Sequence, residues 1–111
     1  MTQSGTATEP DRLALRLEGD LTIARAAEVK PELLAALTGP LDVDLSGVTV
    51  IDGAGLQLLI MLGREAQRRN VPVRWHSPSR AVRSALTLVR LGGDFDMADT
   101  AVPATGAEVT L

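Results

Sequence analysis

The 111 residues, 45% hydrophobic and 23% charged, can build one globular domain with its own core and leave no room for a second. Eleven basic residues against fourteen acidic ones give a net charge of −3, and Trp75 and Phe95 are the only aromatics. This excludes the global positive field and the stacking platform on which nucleic-acid binding draws. The absence of cysteine removes disulfides, thiolate metal sites and a cysteine nucleophile, and agrees with a cytoplasmic setting.

Residues 1–10 are small and polar, with no basic or apolar run of the signal-peptide type, and read as a flexible tail. The folded domain is expected over 11–98, followed by a segment, 99–111, that is either loose or adds to a sheet edge. Leu13, Leu15 and Leu17 alternate with Arg16 and Glu18, the period of a half-buried strand over 12–21, which Gly19 and Asp20 break. Thr22 is placed to cap a helix running from Ala24 to Leu37. Its apolar members are Ile23, Ala26, Ala27, Leu33, Leu34 and Leu37; Pro31 is expected to kink it and Gly39-Pro40 to stop it.

Leu41, Val43 and Leu45 then alternate with Asp42 and Asp44, and Val48, Val50 and Ile51 carry a second strand to Asp52. A helix from Ala54 to about Arg69 turns Leu56, Leu59, Ile60, Gly63 and Ala66 inward and Gln57, Arg64, Glu65 and Arg68 outward, with Asn70 at its end. Val71 to Trp75 reads as a short strand, and Ser77-Pro78 as the N-cap and first residue of a third helix reaching Leu91. That helix points Ala81, Val82, Ala85, Leu86 and Val89 inward, Arg80, Arg83, Ser84, Thr87 and Arg90 outward, and closes at Gly92-Gly93. Short extended pieces near Phe95 to Met97 and Glu108 to Leu111 complete an α/β order. The longest apolar stretch, Leu58 to Gly63, is far below the roughly 20 residues that span a bilayer, so no membrane insertion is expected.

Little in the chain suits catalysis. His76 is the only histidine, no serine sits in a GxSxG elbow, and His76 reads as structural or solvated, so no catalytic residue is assigned. Asp94, Asp96 and Asp99 lack the later ligands of a calcium loop, and no metal or cofactor site is expected. Arg80, Arg83 and Arg90 form a basic stripe that reads as a wet face, the alternative being contact with an acidic partner or anionic head group. The sharpest local feature is Ile51-Asp52-Gly53-Ala54-Gly55-Leu56-Gln57, a strand end running into a helix. As a dinucleotide fingerprint it fails, because Leu58 stands at the third glycine and no acid lies near Arg74. It leaves a tight turn capped by Asp52 or, as a less favoured alternative, a nucleotide- or anion-binding helix N-terminus that Asp52 would oppose.

Residues Val43 to Trp75 resemble the core of a STAS domain, the module of bacterial anti-sigma-factor antagonists and of the cytoplasmic ends of sulfate transporters. The motif is carried by Asp44-Leu45-Ser46, a short apolar step, and Asp52-Gly53-Ala54-Gly55-Leu56. Glu18 to Thr22 resembles the first strand-to-helix turn of that family and Ser77 to Leu91 its later helix. The resemblance implies a mixed β-sheet with helices packed mainly on one face, and a non-enzymatic protein-binding role in signal transduction. In the family a kinase phosphorylates a hydroxyl just after the aspartate, and the new charge decides whether the partner docks. Here the two positions that could hold the acceptor are Gly53 and Ala54, which have no hydroxyl.

The resemblance therefore implies an unswitched module whose partner is an anti-sigma factor or serine kinase. The alternative is an accessory subunit of a lipid-transport ATPase, or a chemosensory adaptor. The contact residues expected are Asp20, Leu21, Thr22, Asp52, Gly53, Ala54, Gly55, Gln57, Leu58 and Met61. Leu58 and Met61 fall away from the inward stripe and are expected to be partly exposed, unless the first helix or the C-terminal segment covers them.

Overall fold

The computed structural model describes the backbone of residues 9–88, 97–98 and 105–111 and the side chains of 12–88 and 108–111. The readings made above for residues 1–8, for Val89 to Phe95 and for Asp96 and Asp99 lie outside the described residues. The elements run β1 (Glu9–Leu21), α1 (Ile23–Ala35), β2 (Leu41–Ile51), α2 (Gly53–Arg68), β3 (Val73–His76), α3 (Arg80–Leu88), β4 (Met97–Ala98) and β5 (Thr105–Thr110). They form one sheet in the order β4-β3-β2-β1-β5. All four pairings among the described strands are parallel, where a mixed sheet was expected; α1, α2 and α3 join β1 to β4 in turn, and such helical crossovers return the chain in the same direction. The segment near Glu108 does add to a sheet edge, as β5 beside β1.

The period of two in β1 and β2 divides the sheet into unlike faces. Leu13 stands beside Leu41 and Leu15 beside Val43, and Val43 in turn beside Trp75, so these side chains share one face. Trp75 places α2 on that face, because a Cβ on Gly63 would lie 3.6 Å from its Cζ2, and α1 packs alongside α2. Leu15, Leu17, Leu33, Leu41, Val43, Leu45, Leu59 and Leu62 are buried there in one cluster that also takes in Val82 and Leu86 of α3. Each such side chain contributes about 1.5–3 kcal/mol by leaving water.

The opposite face carries charge, and Asp42 on it is fully buried. Arg12 meets Asp42 in a forked contact, Nε to Oδ2 at 2.8 Å and Nη2 to Oδ1 at 3.0 Å. His76 Nε2 also reaches Oδ1 at 2.8 Å. Burial pushes the Asp42 carboxyl up, but the hydrogen bonds and charges of Arg12 and His76 outweigh it and hold the group below its usual value. His76, expected to be structural or solvated, is thus the buried structural kind.

Of three local details, two differ from expectation and one, the end of α2 at Asn70, agrees with it. α1 runs on through Pro31 where a kink was expected, the missing N–H depriving only the exposed residue Ala27 of an acceptor role, and Ile23, one of its apolar members, is 72% exposed. α2 ends where Asn70 turns left-handed at φ 58°, with Val71 N–H donating to Ala66 O and Asn70 N–H to Gln67 O, a Schellman closure. The cap of α3 is Ser79 rather than Ser77: its Oγ accepts from Val82 N–H at 3.2 Å. Ser77 is itself left-handed, and Ser79 N–H is bound to Leu45 O on β2, which delays the first helical turn by two residues.

Candidate functional site

The sheet's C-terminal edge gathers the ends of β1 and β2 with the starts of α1 and α2, since Asp20 stands beside Val50 and Leu21 beside Ile51. Two residues make this junction compact. A Cβ on Gly55 would lie 1.8 Å from Leu21 O, so only glycine lets the first turn of α2 touch the backbone of β1. Asp52 then fastens both helices: Oδ1 accepts from Gly55 N–H at 2.9 Å and Oδ2 from Ile23 N–H at 3.0 Å. It is the N-cap of α2 and at the same time does for α1 what Thr22, whose side chain makes no capping bond, does not.

Those backbone donors, Ile23 first and Gly55 second, hold the Asp52 carboxyl below its usual value. A carboxylate whose two oxygens are both engaged is a fastener rather than a proton acceptor. It also occupies the place at the helix N-termini that an anionic ligand would take. Among the described residues no three potential metal ligands come together, and the one histidine is buried beside Asp42. Around this junction lie the residues expected to form a contact surface.

The residues expected in that surface divide into two sets. Asp20, Gly53 and Gln57 are exposed, while Thr22, Asp52, Ala54 and Met61 are half-buried, so side chains or backbone of all seven reach the solvent. Leu21 and Gly55 are buried within the junction. Leu58 is a correction: it is 6% exposed and belongs to the core, and its place on the outside is taken by Ile60, expected inward but half-buried beside Met61. Ile60 and Met61 line a shallow groove along α2 with Gln57, Arg64, Glu65 and Arg68. Across the junction Val50 and Ile23 are both exposed, an apolar pair next to the turn.

Gly53, immediately after Asp52, is exposed, and a Cβ built on it would meet nothing within 4 Å. The site thus has room for a side chain at that position and carries none.

A sequence model of the family described as "Mlab, STAS domain" matches residues 4–102. Among solved structures, the fold is similar to that of a candidate anti-sigma factor antagonist from Thermotoga maritima, with a TM-score of 0.67 and 22% identity over 75% of this chain and 74% of that one. No curated protein has a significantly matching sequence. Among the described residues no helix is long and apolar enough to cross a membrane.

Proposed function

Because the chain belongs to the STAS-domain family, we propose that it is a non-enzymatic cytoplasmic module that binds another protein in the manner of an anti-sigma-factor antagonist. Docking uses the Asp52 turn and the outer face of α2, through Asp20, Thr22, Gly53, Ala54, Gln57 and Met61. The observation that carries the reading is Gly53. The family's switch adds phosphate to a hydroxyl at this point, and here the position is open to solvent but has nothing to phosphorylate. The module is therefore held permanently in the form that resembles the dephosphorylated, docking-competent state.

Restoring charge at the turn tests this. Gly53→Asp places a carboxylate in open space at the first turn of α2, where the helix dipole tolerates it. It should abolish capture of the partner from lysate of the source cell while leaving the melting temperature unchanged. Met61→Lys should do the same from the outer face of the helix. Capture unchanged in both variants would overturn the proposal. The matching family model, described as Mlab, favours a second reading in which the same surface seats an accessory subunit on a lipid-transport ATPase. A serine kinase or anti-sigma factor in the captured fraction supports the first reading, and a transport ATPase the second.

A further inference from the structure

The net charge of −3 hides a strong segregation. From Arg64 to Arg90 the chain holds seven arginines and one acid, Glu65, whereas the remaining residues carry four basic and thirteen acidic groups. The α2 groove lies at the start of this basic stretch. Ile60 and Met61 form its apolar floor, and Arg64 and Arg68 stand one helical turn apart beside them. Arg64 is exposed and has no ion-pair partner among the described residues.

Glu65 bridges to both Arg68 and Arg69, on one side of the groove. Counting Arg64, Arg68 and Arg69 against Glu65, the patch keeps a surplus of two positive charges; Glu65 takes Nε and Nη2 of Arg68, which keeps its other N–H donors for a further acceptor. Gln57, Ile60, Met61, Arg64 and Arg68 follow the spacing i, i+3, i+4, i+7, i+11, a stripe about 16 Å long at 1.5 Å per residue.

We propose, resting on the docking surface described above, that the groove of α2 receives an acidic amphipathic helix of the partner protein. Its apolar side chains seat against Ile60 and Met61, and carboxylates repeated at one-turn spacing face Arg64 and Arg68. A helix supplies both demands at once, because three- and four-residue spacings put an apolar row and a flanking acidic row along one side. Arginine suits the second demand better than lysine, since its planar fork takes a carboxylate through two donors.

The probe is a fluorescein-labelled peptide of about 18 residues, long enough to be helical, with leucine and glutamate at helical spacing. Its counterpart has every glutamate replaced by lysine. The full chain should bind the acidic peptide and not the lysine one, and binding should weaken as NaCl rises from about 0.05 M to about 0.5 M. Arg64→Glu with Arg68→Glu, both at exposed positions, should keep the melting temperature, lose roughly tenfold in affinity for the acidic peptide and gain affinity for the lysine peptide. Equal binding of both peptides, an acidic peptide indifferent to the double variant, or binding only to phosphatidylserine vesicles would overturn the inference. If the acidic peptide fails while Met61→Lys still abolishes partner capture, the acidic class falls and the docking surface stands. If Met61→Lys leaves capture intact, the surface itself falls.

Discussion

Asp42 and Asp52 lie ten residues apart, one within β2 on the sheet's charged face and the other just past the strand's end, and each engages both carboxylate oxygens. Asp42 is fully buried and is matched by two cationic or protonatable side chains, Arg12 and His76. Asp52 is half-buried and is matched by backbone N–H groups at two helix starts. The difference lies in what each group could do without its partners. In the interior a lone charge has no water to fall back on, so the ensemble of Arg12, Asp42 and His76 is all-or-none. At the junction solvent can replace a lost bond, and the carboxylate instead decides how two helices begin.

That contrast orders the expected effects. Asp42→Asn withdraws a fully buried carboxylate charge from both Arg12 and His76 and should cost about 3–5 kcal/mol in urea unfolding. A loss no larger than that of an exposed substitution would erase the distinction. Gly55→Ala drives a Cβ into Leu21 O and should cost about 3 kcal/mol, whereas Gly53→Ala, two residues away in open space, should stay within about 0.5 kcal/mol of the parent. Equal effects would mean that α2 shifts freely over β1. Asp52→Ala should lower the melting temperature by less than Asp42→Asn, with loss of amide protection at the starts of both α1 and α2 in hydrogen exchange. Protection lost at α2 alone would show that the bond to Ile23 contributes nothing.

Acid titration sharpens the comparison further. The Asp42 pKa is lower folded than its ordinary 3.8, so its stabilisation is complete above that value and fades as pH falls below it towards the folded value. The parent's stability should therefore decline across this window, and Asp42→Asn should show a flatter acid limb. Glu65, lowered from 4.5 to about 2 by Arg68 and Arg69, acts with the same sign at the surface. Glu65→Gln should change the acid limb least, and less still in high salt.

Much of the architecture was legible in the residues. The alternation of Leu13, Leu15 and Leu17, and of Leu41, Val43 and Leu45, placed two strands and their inner face, because a period of two has only two solutions. The motif Asp52 to Leu56 located the helix start and its cap. The inward arc of α2 was less legible. A helix with a neighbour along one flank buries a wide arc, and here that arc is turned towards Leu58 and Leu62, which leaves Ile60 at the groove. A helical wheel gives the period but not the side on which α1 lies. The buried role of Asp42 was hidden for a related reason: alternation assigned it to a solvent face, and only the register of three strands brings Arg12 and His76 to it. A charged residue on a strand paired at both edges, with an arginine on the preceding strand, was the signal available.

The double attachment at Asp52 also bears on motion. With one carboxylate pinning the first turns of both helices, α1 and α2 share a pivot, and a movement of Asp52 strains both attachments at once. A displacement at the start of either helix therefore bears on the other through this one side chain.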